Sequence, residues 1–368
     1  MKIGLVRRGF SPTGGAESYL KRLGRALKDA GHQPALYTTR AWPQPEWPYG
    51  PVIRSDVSSP LQFAKAVQGC RRPDEILFSL ERILQCDCYR AGDGVHKLWL
   101  AIRVAHEPAW RAFFRFANHK HRELLQLERN LFEQKGARHV IANSDMVRKE
   151  IINEFAYPAE KISVVYNGLP NNHFKRKPQS RLEMRRQWGL RENDIAFLFA
   201  GSGWDRKGLK YGLQAIERIS NPNVRLLVAG TGQKRSYRSE KVRFLGPVPD
   251  MDSLFAAADM FILPTVYDPF SNACLEALSY GLPVITTLTN GFSEIVESGR
   301  HGEIIGRAED VEALQQAMEK WIDPIRRESA RDQCAELARG YTMERNLSET
   351  LQVLENLGTS DGESVGGS

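Results

Sequence analysis

Short apolar runs recur along this chain, most of them closing on glycine or a small polar residue ahead of a helical stretch. Residues 2–6, KIGLV, lead to Gly14-Gly15 and then to residues 17–30, where Tyr19, Leu20, Leu23 and Leu27 share one helical face. Gly31 marks the end of that helix, and residues 35–39, ALYTT, read as a second strand. Strand, loop, helix, strand is one βαβ unit, which commits this part of the chain to parallel sheet. Further strands are expected at 75–79, 139–143 and 161–166, with Asn143-Ser-Asp145 capping a helix over 146–155. Residues 40–60, rich in Pro, Trp and small residues, read as a surface excursion.

The alternation then breaks and restarts. Residues 169–178 are polar, basic and Pro-bearing without an apolar period, and read as a linker. Beyond it, strands are expected at 195–200, 224–229, 242–245, 260–263 and 283–286, with helices from Gly208 and over 251–258. A chain of 368 residues exceeds one typical core. The fold expected is α/β: two Rossmann-like domains with parallel sheets facing a central cleft, over 1–170 and 171–345. A helix over 346–358 is expected to pack back on the first domain, ahead of a loose Gly/Ser tail at 359–368.

Composition narrows the classes. The N-terminal apolar stretch is too short for the h-region of a signal peptide, and no run approaches the eighteen or so apolar residues of a membrane span, so a cytoplasmic location is expected. Five scattered cysteines do not suit a disulfide framework, and Cys86-Asp-Cys88 is too tight for the usual zinc spacing. The net charge of +7 is uneven: residues 1–180 hold 29 lysines and arginines against 17 acidic residues. A basic half favours anionic partners such as nucleic acid, phosphorylated sugar or anionic lipid. The basic residues form no recognisable nucleic-acid module, which argues against that partner.

Ligands of open α/β sheets bind outside the carboxyl ends of the strands, so the strand ends hold the candidate residues. Gly14-Gly15 and Gly230-Thr-Gly232 each lack the third glycine of a dinucleotide fingerprint. Arg206-Lys207 follows the strand over 195–200, where a diphosphate would suit a guanidinium fork beside an ammonium; a solvated loop pair is the alternative. Asp268-Pro-Phe-Ser-Asn-Ala-Cys-Leu-Glu276 sets two carboxylates eight residues apart. Pro269 disfavours helix at Asp268, and Ser271 or Asn272 can cap the helix that follows, whose N–H groups suit a phosphate. A capped core helix with a solvated Glu276 fits the same residues.

The run from Pro264 to Pro283 resembles the E-x7-E signature of retaining family 4 glycosyltransferases. Gly14-Gly15-Ala-Glu17, Asn143-Ser144, Asn167-Gly168, the turn from Gly203 to Gly208 and Gly230-Thr-Gly232 occur in the family's order. Within that family the stretches 78–93 and 122–134 are similar to the lipopolysaccharide core glucosyltransferases. The resemblance implies a GT-B fold, with acceptor on the first domain and nucleotide sugar on the second. It implies that Glu276 holds the ribose hydroxyls and Asp268 lies by the donor sugar. Ser271, Asn272 and Ala273, with Arg206 and Lys207, would hold the diphosphate. Gly14 and Gly15 would approach the donor, and Gly246 and Val248 would face the base. Asp93 falls at a candidate acid/base or acceptor-orienting carboxylate. Two departures stand out: Asp268 replaces the usual Glu, which bears on donor choice, and the loop 7–13 differs, which bears on the acceptor.

The resemblance implies transfer of a hexose from a UDP-sugar, UDP-glucose favoured, to the lipopolysaccharide inner core or another lipid-linked glycan, with front-face attack. Two cations and a helix dipole in place of a metal, and no D-x-D motif in a plausible place, lead to the expectation of neither metal nor other cofactor. Among the groups expected to act in catalysis are Asp93, Arg206, Lys207 and Asp268. A GT-B epimerase, a basic nucleic-acid-binding protein and a non-catalytic sensor are the rival readings. Trp99, Arg103, Trp110, Arg111, Phe114 and Arg115 interleave aromatics with cations, as an anionic inner-membrane surface attracts; a core-facing aromatic stripe is the alternative.

Overall fold

The apolar runs become buried parallel strands, covered by helices whose apolar stripes face them. The computed structural model describes residues 1–11, 15–106, 118–174, 180–232, 237 and 239–363. Two units emerge: Met1–Tyr166 together with the chain from Arg345 onward, and Asn167–Glu344.

The first unit holds β1 (Lys2–Val6), β2 (Gln33–Thr39), β3 (Val52–Ser55), β4 (Glu75–Ser79), β5 (Cys86–Ala91), β6 (Ala137–Ala142) and β7 (Ile162–Val164). They pair in parallel in the order β3-β2-β1-β4-β5-β6-β7, so the order reverses between β1 and β4. Its helices are α1 (Gly15–Asp29), α2 (Pro60–Cys70), α3 (His96–His106), α4 (His119–Phe132) and α5 (Asp145–Phe155). Ile3, Leu5 and Val6 on β1 are fully buried, as are Leu20, Leu23 and Leu27 on α1, which accounts for both the continuous run and the helical stripe. The Ser144 hydroxyl accepts the Val147 N–H at 3.2 Å and starts α5, as the cap reading expects.

Two parts of this unit differ from the sequence reading. The excursion over 40–60 is not all surface: Trp42 and Trp47 are buried, their rings edge-on at 6.3 Å, with Phe10 against Trp42 at 5.0 Å. Gly24 on α1 leaves room for Trp47, since a Cβ there would stand 2.5 Å from the indole. The segment also supplies β3. Burial of the large indoles outweighs the turn-forming prolines around them. Strand β5 escapes the pattern because Asp87 and Arg90 interrupt it. Asp87 is engaged by Arg71 at 2.6 Å and by the Leu77 N–H at 2.7 Å, and the Arg90 guanidinium lies 4.4 Å from the centre of the Tyr19 ring.

The second unit holds β8 (Ile195–Ala200), β9 (Val224–Ala229), β10 (Val242–Gly246), β11 (Met260–Leu263), β12 (Val284–Thr287) and β13 (Gly302–Ile305). The order β10-β9-β8-β11-β12-β13 reverses between β8 and β11. Its helices are α6 (Arg181–Gln187), α7 (Leu209–Arg218), α8 (Met251–Ala257), α9 (Asn272–Ser279), α10 (Val311–Lys320) and α11 (Pro324–Arg339); α12 (Met343–Glu363) follows. Asp259, just before β11, ties α6 and α11 to the sheet: Arg181 and Arg185 reach it at 2.7 and 3.1 Å, and Arg327 at 3.8 Å.

The boundary falls at 166/167 rather than after 170. Residues 167–170 are structured: Leu169 is buried, its N–H donates to the Tyr341 carbonyl at 2.9 Å, and its carbonyl accepts the Met343 N–H at 2.7 Å. Helix α12 then lies on the first unit, where Leu354 is buried and Thr350 meets the Tyr19 hydroxyl at 3.3 Å. It runs to Glu363, past the start of the expected tail; residues 364–368 lie outside the described residues.

Candidate active site

In a doubly wound sheet the crevice opens where the strand order reverses, at β8/β11 in the second unit. The turn after β8 is built to cross that point. Gly208 has φ +73°, and a Cβ there would stand 1.8 Å from the Pro264 carbonyl oxygen, so only glycine lets the turn reach β11. The Arg206 carbonyl accepts the Val266 N–H and the Thr265 hydroxyl, both at 2.9 Å. The turn is thereby locked with the Arg206 and Lys207 side chains beside Asp268.

Asp268 is only 5% exposed. Its N–H donates to the Thr289 carbonyl and its carbonyl accepts the Gly291 N–H, both at 2.9 Å, which fixes its Cα. Its carboxylate is ion-paired with the Lys207 ammonium, and the Arg206 Nη1 stands 4.0 Å from the other oxygen. Arg206 also donates to the Tyr267 carbonyl at 3.3 Å. Lys207, expected with Arg206 to hold a diphosphate, thus has its charge already matched by Asp268. A carboxylate this buried is costly without a cation, and the short aspartate arm draws it to the nearest one.

Helix α9 begins beside this group. Ser271 is its N-cap, but contrary to the capping expectation its hydroxyl bonds no helix N–H. The hydroxyl is buried beside the Cys274 thiol and makes no hydrogen bond of regular geometry among the described residues. Burial pushes that thiol up to about 12. The Ser271 N–H is taken by the Asn290 side chain at 3.2 Å. Asn272 is exposed and bonded to Asn167 at 2.9 Å, Ala273 is half-buried, and Glu276 is half-buried one turn into the helix. An uncapped helix start with a nearby guanidinium suits an anion.

Asn290 is the organiser that the sequence reading missed. It is fully buried; its Oδ1 accepts the Ser271 and Phe292 N–H groups, each at 3.2 Å, and its Nδ2 donates to Thr286 at 2.9 Å. Thr287 and Thr289 donate to the Thr265 carbonyl at 2.7 and 2.9 Å. The signal for this was Asn290-Gly291 just beyond β12, a turn pair that the sequence reading passed over.

Gly246 and Val248 lie at the carboxyl end of β10, two strands from β8, and the Gly246 carbonyl accepts the Gly230 N–H at 2.8 Å. Gly14 lies outside the described residues, and Gly15 starts α1. Among the described residues no group of three or more His, Cys, Asp or Glu is placed to hold a metal.

In the first unit the order reverses between β1 and β4, and Arg7 spans that point. It bonds Glu17 at 2.9 Å and Glu81 at 3.1 Å. Burial alone would lower its guanidinium, but the charges of Glu81 and Glu17 outweigh it and hold it above its ordinary value. Asp93 lies past the end of β5, exposed and without hydrogen bond or ion pair among the described residues. Its charge still acts on Arg7. Trp99 and Arg103 sit on α3, none of whose side chains is buried; Trp110, Arg111, Phe114 and Arg115 lie outside the described residues. No helix among the described residues is long and apolar enough to cross a membrane.

Comparison with known proteins accords with this geometry. Residues 13–172 match the model of Glycosyltransferase Family 4, and residues 194–323 that of Glycosyl transferases group 1. The lipopolysaccharide glucosyltransferase WaaG of Escherichia coli K12 is 23% identical over 341 residues, 86% of this chain and 89% of that protein. An uncharacterized glycosyltransferase of Methanocaldococcus jannaschii, MJ1607, is 30% identical over 177 residues, but the match spans only 44% of this chain and 45% of the relative. The crystal structure of WaaG superposes with a TM-score of 0.74 at 22% identity, covering 100% of both chains. That of Anabaena HepE in complex with UDP-glucose gives 0.71 at 20% identity, covering 98% of this chain and 100% of that one. With the family 4 region in its first unit, the group 1 region in its second and a strand reversal in each sheet, the chain belongs to the GT-B glycosyltransferases.

Proposed function

We propose that the chain transfers a hexose from a UDP-sugar, UDP-glucose favoured, to a saccharide of the lipopolysaccharide inner core or another lipid-linked glycan, with retention of configuration. The observation that carries this is the start of α9: a buried Ser271 hydroxyl that caps no helix N–H, with Arg206 and the Lys207–Asp268 pair alongside. The donor diphosphate lies there, Glu276 takes the ribose hydroxyls, and Gly246 and Val248 face the base. WaaG, whose name specifies glucosyl transfer in lipopolysaccharide, and HepE, bound to UDP-glucose, support the donor class.

In this mechanism the bond from the anomeric carbon to the diphosphate oxygen breaks, and its electron pair stays on the phosphate. Arg206, the helix dipole and the α9 N–H groups stabilise that charge. The acceptor oxygen attacks from the same face, and its proton passes to the leaving phosphate. Asp93 orients the acceptor, and Arg206 with the helix N-terminus makes a metal unnecessary. Scoring UDP-glucose, UDP-galactose, UDP-N-acetylglucosamine, GDP-mannose and ADP-glucose for hydrolysis and thermal stabilisation should rank UDP-glucose first, unchanged by EDTA. A GDP- or ADP-sugar ranking first would refute the donor, and loss with EDTA would refute the metal-free step.

The lipid-linked acceptor places the protein at the cytoplasmic face of the inner membrane. Helix α3, with no buried side chain, and the basic first unit support contact with anionic lipid. Co-sedimentation should rise steeply from neutral to phosphatidylglycerol-containing vesicles. Equal sedimentation with both would sink the membrane contact.

A further inference from the structure

Asp93 stands on a turn held at both flanks. The Gly94 N–H approaches the Ala91 carbonyl at 3.3 Å, and Gly94 has φ +68°, so the chain reverses within four residues. The Gly92 carbonyl accepts from Asn143 Nδ2 at 3.2 Å. The Gly94 carbonyl accepts from Arg82 Nη2 at 2.6 Å. Arg82 is itself buried and paired with Glu128 on α4 at 3.1 Å. The same Glu128 accepts the His96 and Lys97 N–H groups at 2.7 and 2.9 Å, which anchors the start of α3 just beyond the turn. The carbonyls on either side of Asp93 are thus fixed by buried side chains, while its own carboxylate stays exposed and unbonded among the described residues.

Asn143 carries a second oddity. It is 2% exposed, and its Oδ1 has no hydrogen-bond partner among the described residues. A buried amide with one end unsatisfied costs stability that an apolar residue of similar size would avoid. Its amide nitrogen bonds the carbonyl of the residue before Asp93.

We infer that Asn143, together with the Arg82–Glu128 pair, is a positioning residue for transfer: it fixes the Gly92 carbonyl so that the Asp93 carboxylate faces the acceptor. This rests on the proposed role of Asp93. Small displacements of an orienting group cost rate steeply, whereas donor binding on the other unit is untouched.

The test is a double-mutant cycle with N143L and D93N, measured with UDP-glucose and acceptor glycan. N143L should keep or raise the Tm and leave the donor KM within about twofold, while kcat falls at least about tenfold. In the D93N background the same substitution should cost less than about twofold, because the group it positions is gone. An equal loss in both backgrounds, or a fall in kcat that only tracks a fall in Tm, overturns the inference. Wild-type turnover by D93N refutes the role of Asp93 itself, a separate outcome. If N143L does not fold, N143S runs the same cycle, with thermal stabilisation by UDP-glucose as the check of folding.

Discussion

Replacing Lys207 with methionine is expected to lower transfer by about a hundredfold or more and to destabilise the second unit by about 3 kcal/mol. Both effects come from one atom. The Lys207 ammonium neutralises Asp268, whose side chain is 6% exposed, and removing it strands a buried carboxylate. Arg206, at 4.0 Å and 35% exposed, moves in only partly, which keeps the loss near the lower end of the range for broken buried pairs. Differential scanning calorimetry should show a Tm lower by roughly 6–12 °C for a domain of this size. The double variant K207M/D268N separates the two roles. It should recover most of the Tm, since no charge is then stranded, but none of the turnover. Full recovery of both would show the pair to be structural alone.

Asn290→Ala is expected to cost about 3–5 kcal/mol, from two buried N–H groups left without their acceptor and one further bond lost. The Ser271 and Phe292 N–H groups lose their acceptor, and the Thr286 hydroxyl loses a donor while keeping its own bond to the Leu263 carbonyl at 2.8 Å. Because Ser271 opens α9 and the Asp268 backbone is bonded to its neighbours Thr289 and Gly291, the donor site should loosen with the fold. Nucleotide affinity should fall by about tenfold or more at a temperature where the variant is still folded. A variant with lowered Tm but unaltered UDP affinity would show that Asn290 stabilises the sheet without shaping the site.

These two residues also mark where the sequence was legible. The βαβ alternation carried the architecture because strands such as β1 and β8 are buried on both faces and read as plain apolar runs. Arg206, Lys207, Asp268 and Ser271 were singled out because they sit at strand ends and helix starts, where ligands of open sheets bind, and the structure sets the first three side by side. Asn290 was missed because its partners are backbone groups distant in sequence, which no periodicity records. Strand β5 was missed because its charged side chains are neutralised by residues on other elements, notably Asp87 by Arg71. Trp42 and Trp47 were misplaced because proline-rich composition was weighed above the area of two indoles. The pairing of Lys207 with Asp268 was also hidden: each side chain was read for a ligand, and neither for the other.

The path of α12 has a consequence for how the protein is made. Leu354 and Thr350 fill positions against the first unit, yet they follow the whole of the second unit along the chain. Residues 167–344 emerge before them and contain everything that the second sheet needs. During synthesis the N-terminal segment must wait with the Tyr19 face of α1 uncovered, while the later segment can finish folding. Nascent chains arrested before residue 345 should therefore depend more on chaperones than chains extended past α12.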